Sequence, residues 1–113
     1  MTASEQIYQL DKAIRYVALC RGGALSLSQP DALENASQSK SDKYEELIVN
    51  PALLTLAKQR GAIDCGGAGF VIVGYGNFLQ LVFDHADGHA SICFENGSNP
   101  IAFVEPIRNI LNA

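Results

Sequence analysis

The fold is decided by residues 69–95, which read GFVIVGYGNFLQLVFDHADGHASICFE. Two dipeptides within this stretch, Gly76-Asn77 and Asp87-Gly88, are typical of two-residue hairpin turns of the primed type. The runs around them are rich in aliphatic and aromatic residues, as in buried strands. The stretch therefore predicts three antiparallel strands joined by two tight turns.

Counting outward from the two turns predicts which residues face one another. The expected pairs are Gly74 with Leu79, Ile72 with Leu81, Phe70 with Phe83, Phe83 with Ile92, and Leu81 with Phe94. One sheet face then collects the predicted main core, which consists of Phe70, Ile72, Leu79, Leu81, Phe83, Ala90, Ile92 and Phe94. A slip of one residue would move every side chain to the other face, so the pattern and the turn chemistry support the same register.

The segments before this meander show a helical pattern and then a strand pattern. Thr2 and Glu5 form a capping-box pair, which predicts the start of a helix. Apolar residues recur at helical spacing after it, namely Ile7, Leu10, Ile14 and Val17. The helix is expected to stop at Arg21-Gly22-Gly23. The alternation in Ala24–Ser28 predicts a strand with one buried face. Residues 32–36 carry a weak pattern of a returning strand, and residues 37–41 have the composition of a loop.

Two further helical segments are predicted around the meander. Residues 42–49 look helical, and Asn50-Pro51 predicts that a fresh helix starts there and ends at Gly61. This helix carries Leu53, Leu54, Leu56 and Ala57. A last helix, which Pro106 should kink or restart, is expected from Asn99-Pro100 onward and presents Ile101, Val104, Ile107 and Leu111. We expect the first and last helices to cover the main core together.

Length and composition indicate one globular domain over residues 1–113. The 113 residues are 48% hydrophobic and 18% charged, and the net charge is −4, so the chain does not look disordered and nucleic acid is not an expected partner. No apolar run approaches the roughly 20 residues that span a bilayer, and the polar amino terminus does not resemble a secretory signal. The three cysteines have no metal or disulfide spacing, which favours free thiols in a reducing cytoplasm.

Candidate catalytic and metal-binding residues are few. His85 and His89 bracket a predicted turn and fall on opposite sheet faces, so we expect them to share no metal ion. The glycine-rich residues 65–69 lack the Lys and Ser/Thr of a phosphate loop, and the charged run at residues 42–46 is predicted to be an exposed helix face. No catalytic residue, metal or cofactor is predicted. An enzymatic alternative would place Cys65 or Cys93 beside a histidine.

The second sheet face is too apolar to be left in water. It carries Val71, Val73, Tyr75, Phe78 and Val82. The strand at residues 69–75 contains no proline and no charge, so at the edge of a sheet it would lack the usual protection against strand addition. Dimerisation through this strand would protect the edge, and the helix after Pro51 would cover the apolar second face. In the alternative, another part of the same chain shields the edge.

The order helix, strand pair, helix, three-strand meander, helix resembles the roadblock (dynein light-chain type) family. The local likeness to bacterial members is strongest at residues 71–82, VIVGYGNFLQLV, and continues at residues 87–89 and 91–95. The resemblance implies a roadblock/profilin-like α+β fold of order α-β-β-α-β-β-β-α. Its five-stranded antiparallel sheet would have two helices on one face and one on the other.

The resemblance also implies a function. Members of this family are non-catalytic homodimeric platforms that bind, regulate or tether Ras-like small GTPases. The dimer would join through strand 69–75 and helix 51–60, and its expected interface residues are Leu53, Leu54, Ala57, Phe70, Val71, Ile72, Val73 and Tyr75. An alternative is a small-molecule sensor that holds a ligand between sheet and helix, near Tyr75, Phe78 and Cys93.

Overall fold

Five antiparallel strands form one sheet in the order β2-β1-β5-β4-β3. The computed structural model describes residues 1–28 and 40–113. The strands are β1 (Ile14–Arg21), β2 (Ala24–Ser28), β3 (Val71–Gly74), β4 (Leu79–His85) and β5 (Gly88–Phe94). The helices are α1 (Ala3–Tyr8), α2 (Lys40–Tyr44), α3 (Asn50–Asp64) and α4 (Val104–Leu111). The predicted α+β class with a five-stranded antiparallel sheet is confirmed.

The predicted long first helix is wrong, because the chain forms a short helix and then a central strand. The capping box of Thr2 and Glu5 is present, but α1 ends at Tyr8 and β1 begins at Ile14. β1 lies between β2 and β5 and is buried on both faces over most of its length. A strand covered on both faces reads as a continuous apolar run, which explains why its residues also fitted a helical spacing.

The predicted helix stop at Arg21-Gly22-Gly23 is instead the turn of the β1–β2 hairpin. Arg21 pairs with Ala24 across this turn. Gly22 and Gly23 have φ angles of 57° and 85°, the left-handed conformation that a primed two-residue turn requires. The strand predicted at Ala24–Ser28 is confirmed, and the returning strand predicted at residues 32–36 lies outside the described residues.

The register of the meander agrees with the prediction at the first turn and differs at the second. Gly74 pairs with Leu79 and Ile72 with Leu81, as expected, but the β3–β4 ladder begins at Val71 and does not include Phe70. At the second turn Leu81 pairs with Ile92, Phe83 with Ala90 and His85 with Gly88. The predicted partners are therefore displaced by two residues, although the paired side chains keep their predicted faces. Phe70, predicted in the main core, lies before β3 and is 39% exposed.

The displacement arises because Gly88 has a packing role. The two turn residues are Ala86 and Asp87, and Ala86 takes the left-handed conformation with φ 52°. A Cβ atom on Gly88 would collide with the carbonyl group of Cys20 in β1. The glycine thus allows close approach of β5 to β1, whereas the sequence pattern suggested that it formed the turn.

The main core lies on the predicted face of the sheet, beneath α1 and α4. Ile7 of α1, together with Val104 and Ile107 of α4, joins the buried residues Ile14, Val17, Leu81, Phe83, Ala90, Ile92 and Phe94. The expectation that the first and last helices cover this face is confirmed. Ile101, expected in the core, is 61% exposed, because it lies in a 3₁₀ turn (Pro100–Phe103) before α4. Pro106 lies in the first turn of α4, where proline is tolerated.

The middle of the chain is one continuous helical segment. A π-helical turn (Glu45–Val49) joins α2 to α3. Asn50 has helical φ and ψ angles of −64° and −44°, so the prediction that it caps a fresh helix is wrong. Gly61 does not end the helix, which continues to Asp64. A Cβ atom on Gly61 would collide with the carbonyl of Gly67, so this glycine also serves close packing. Among the described residues, no helix is long and apolar enough to span a bilayer.

Candidate functional site: a buried polar layer and an uncharged edge

Around residues 44–50, the helical segment over the second sheet face turns polar side chains toward the sheet, whereas farther along the segment the buried side chain is Leu54. Glu46 is 0% exposed, so the prediction that the charged run at residues 42–46 is an exposed face is wrong at its most buried member. Tyr44, Leu47 and Ile48 lie exposed on the outside instead. This arrangement is the reverse of an ordinary surface helix, whose apolar side faces the core.

The Glu46 carboxylate binds three side chains that come from the helix and two strands. The Tyr16 hydroxyl of β1 donates to Oε2 at 2.9 Å. The Asn50 amide donates to Oε1 at 2.9 Å, and His89 Nε2 of β5 lies 2.9 Å from the same oxygen. A buried carboxylate is tolerated only when such partners replace its water, so this network explains how Glu46 is accommodated.

A β-bulge places Tyr16 in this network. The β1–β5 register shifts between Ile14 and Tyr16, which directs Ile14 into the main core and Tyr16 to the second face. Without the extra residue the two side chains would share a face, since strand residues two apart point the same way. Burial, followed by the nearby Glu46 carboxylate, raises the pKa of Tyr16 well above its ordinary range. The phenol therefore stays protonated and acts as a donor.

A second carboxylate of the same helix contacts the strand edge. The Tyr75 hydroxyl lies 2.9 Å and 3.1 Å from the two oxygens of Glu45. Burial and this hydrogen bond raise the pKa of Tyr75 to about 12. Burial is also the main cause that raises the pKa of Glu45, with a further contribution from Glu46. Two neighbouring acidic residues thus attach one helix to both the centre and the edge of the sheet.

A polar layer lies between the helical segment and the second face, beside the buried apolar side chains of Leu54 and Val82. The buried polar residues of the described chain are Glu46, Asn50, Gln80, His89 and Ser91. Gln80 donates to the Ser91 hydroxyl at 2.6 Å, while Asn50 Oδ1 and Gln80 Oε1 have no hydrogen-bond partner among the described residues. Because directional bonds hold this layer, it differs in kind from the apolar core on the opposite face.

Strand β3 is an edge strand of the sheet, as the dimer interpretation requires. The Tyr75 amide donates to the Phe78 carbonyl at 2.9 Å, and hydrogen bonds alternate along an antiparallel pair. The backbone groups of Ile72 and Gly74 therefore point away from β4, toward the outside. No charged residue occurs between Asp64 and Asp84, so this edge lacks charged protection.

An apolar seam runs along α3 and the turn before it. Val49, Leu53, Leu56 and Ile63 follow the alternating four- and three-residue spacing of a coiled-coil seam, and Arg60 occupies the one polar position. Leu56 and Ile63 are 64% and 75% exposed. Arg60 is paired with Asp64 at 2.6 Å, which neutralises the charge within the seam.

The predicted interface residues occupy different environments. Leu54 is only 6% exposed and has little surface for a partner, whereas Leu53 and Ala57 are half-buried. Phe70 is exposed, and half-buried positions are found at Val71, Ile72, Val73 and Tyr75. Leu56 and Ile63 offer more surface than any of the predicted α3 residues. A test of the seam spacing in the sequence would have found them.

The predicted ligand residues come together as packed side chains. The rings of Tyr75 and Phe78 have centroids 5.3 Å apart, and Phe78 packs on the small apolar cluster that contains Cys93. Burial, then the nearby Glu46 carboxylate, raises the pKa of the Cys93 thiol. The thiol therefore stays protonated, which is the opposite of an activated nucleophile.

The structure separates the remaining predicted reactive residues. His85 lies at the end of β4, while His89 is buried on the second face against Glu46. Cys65 is exposed at the end of α3, with the Asp64 carboxylate 3.2 Å from its sulfur. Within the described ranges, no group of three or more His, Cys, Asp or Glu residues is placed to hold a metal ion.

Sequence reasoning missed Glu46, Asn50 and Tyr16. The four-residue spacing of Glu46 and Asn50 was a detectable signal, because such residues share a helix face. The bulge that redirects Tyr16 left no such signal. Comparison with known proteins adds no further assignment, since no protein-family model and no curated protein matches the chain.

Proposed function

We propose that this chain is a non-catalytic homodimeric adaptor or regulatory module that binds or regulates a Ras-like small GTPase. The observation that carries the dimer is the position of β3, an uncharged strand at the edge of the sheet. The GTPase partner rests on the resemblance of the sequence to the roadblock family. The identification of this fold with the roadblock fold belongs to the same proposal.

The edge and the seam suit a two-fold symmetric contact. A copy of β3 pairs antiparallel with β3 through the outward backbone groups of Ile72 and Gly74. A symmetric contact brings the same surface of each subunit together. The α3 seam of one subunit can then pack on the α3 seam of its partner and cover Leu56 and Ile63, which are otherwise exposed apolar side chains.

Two variants test the dimer at separate points. Gly74→Pro removes an amide that points outward, so it blocks strand addition without removing a β3–β4 hydrogen bond. Leu56→Glu places a charge in the seam on an exposed position. Ile101→Glu is the matched control, since Ile101 is equally exposed but lies in the turn before α4.

Sedimentation equilibrium at micromolar concentration measures the outcome. We expect the wild type and Ile101→Glu to be dimers, and Gly74→Pro and Leu56→Glu to be folded monomers by circular dichroism. A monomeric wild type would refute the dimer. A dimer that both interface variants leave intact would show that the subunits join through another surface.

A separate experiment tests the partner. The immobilised dimer is presented with Ras-like GTPases encoded near its gene, loaded with GDP or with a non-hydrolysable GTP analogue. Binding that depends on the nucleotide supports the regulatory role. If none of these GTPases binds in either state while the dimer is intact, the adaptor proposal loses its GTPase partner.

A further inference from the structure

We propose that residues 40–64, named here the helical flap, open away from the sheet as a unit while the sheet and the main core stay folded. The flap comprises α2, the π-helical turn and α3. The inference goes beyond the adaptor function and does not depend on it. It describes a conformational device that covers or uncovers the second sheet face.

The first support is that the flap is absent from the apolar clusters. The main core takes its helical side chains from α1 and α4, and the smaller cluster of the second face consists of strand and turn residues. Neither cluster of the described chain contains a flap residue. Leu54 is the one large apolar flap residue that is buried. The flap is therefore attached through little apolar surface, and segments of that kind open at low free-energy cost.

The second support is that a few polar contacts provide the attachment. Glu46 binds Tyr16 and His89 of the sheet, and Glu45 binds Tyr75. Lys58 pairs with Asp84 at 2.9 Å, but both side chains are about half-exposed, and such surface pairs contribute little. The contacts of Glu46 are thus the principal latch between flap and sheet.

The third support is a hinge at the carboxyl end of the flap. Residues 65–69 connect α3 to β3, and Gly66 and Gly67 have φ angles of 79° and 97°. The Gly67 amide donates to the Gly61 carbonyl at 3.0 Å. Beyond them, Arg108 of α4 donates to the Gly69 carbonyl and fixes that end of the loop to the body. The bond of Gly67 keeps Gly66 on the end of α3, so the hinge is the stretch from Gly67 to Gly69 between the two contacts, where glycines can absorb the backbone rotation of an opening flap.

Cysteine alkylation provides the experiment, because the thiols lie in different places. Cys65 is exposed, so its labelling controls for the activity of the reagent. Cys93 is buried in the second face. Iodoacetamide labelling of the full chain is followed by peptide mass spectrometry at a series of low urea concentrations. Glu46→Ala removes the latch. Val104→Ala is the matched control, because it truncates a buried side chain on the opposite face.

If the flap opens locally, the Cys93 labelling rate rises less steeply with urea concentration than the equilibrium constant for global unfolding does, because local opening exposes less surface. Glu46→Ala then accelerates Cys93 labelling by roughly a hundredfold or more, the effect of leaving several buried donors without their acceptor. Val104→Ala lowers the unfolding midpoint but leaves the Cys93 rate within about twofold of the wild type.

Two outcomes would overturn the proposal. One is a Cys93 labelling rate with the urea dependence of global unfolding, which the wild type alone reveals even if Glu46→Ala does not fold. The other is acceleration by both variants in proportion to their loss of unfolding free energy. Either result would mean that Cys93 is reached only when the whole domain unfolds.

Discussion

The pair of Glu46 and His89 gives the sharpest test of how the polar layer contributes to stability. The two side chains are 0% and 4% exposed. Glu46→Leu leaves the donors of Tyr16, Asn50 and His89 without their acceptor. A buried donor left without its acceptor costs about 1–3 kcal/mol, and this change removes the acceptor of all three. Domains are stable by only about 5–15 kcal/mol, so this variant is expected to lose a large part of the unfolding free energy.

Urea denaturation of a double-mutant cycle measures the coupling. The cycle contains Glu46→Leu, His89→Leu and the variant with both changes. We expect the double variant to be more stable than the sum of the single losses predicts, by at least about 1.5 kcal/mol, because the apolar pair leaves fewer buried donors unpaired. The exposed pair of Arg21 and Asp87 is the control, with a coupling below about 1 kcal/mol. Additivity within about 0.5 kcal/mol at Glu46 and His89 would refute this reasoning.

Three further outcomes follow from packing and from one titrating group. Gly88→Ala is expected to cost more than about 3 kcal/mol in thermal unfolding, because its Cβ would collide with a carbonyl of β1. Ile107→Ala should cost about 2–5 kcal/mol by urea denaturation, while Ile101→Ala stays within about 0.5 kcal/mol, since the residues are 0% and 61% exposed. Burial and the hydrogen bond to Glu45 raise the pKa of Tyr75 from 10.0 to about 12. The stability linked to its neutral phenol is therefore complete below pH 10 and is lost as the pH rises through about 12. The difference in phenolate absorbance between the wild type and Tyr75→Phe measures this titration.

The meander could be predicted because its signals are local. Gly76 and Asn77 lie at the predicted turn, and counting outward from it gives the correct partners for Ile72 and Gly74. The predicted primed turn type is wrong here, because neither residue has the positive φ angle that such a turn requires. Burial of one apolar face then fixes which side chains point to the core. For this reason a displacement of two residues at the second turn left the predicted faces unchanged.

The features that escaped prediction depend on contacts between distant segments. β1 is a strand because β2 and β5 pair with it on both sides, and tertiary pairing overrides the helical spacing of its apolar residues. Glu46 is buried because Tyr16 and His89 supply donors from two strands. A carboxylate with no visible partner in its own segment is ordinarily read as solvated, so only the assembled sheet reveals this site.

The two faces of the sheet hold their helices by different means, and this difference bears on the proposed interface. Apolar burial on the main face is non-directional and tolerates small shifts of α1 and α4. The bonds of Glu46 to β1 and β5 fix a position and a rotation, because hydrogen bonds weaken steeply away from their preferred geometry. That rotation turns Leu56 and Ile63 outward. A polar layer beneath α3 therefore presents an apolar seam above it in a defined orientation, which is the property that a symmetric contact between two copies needs.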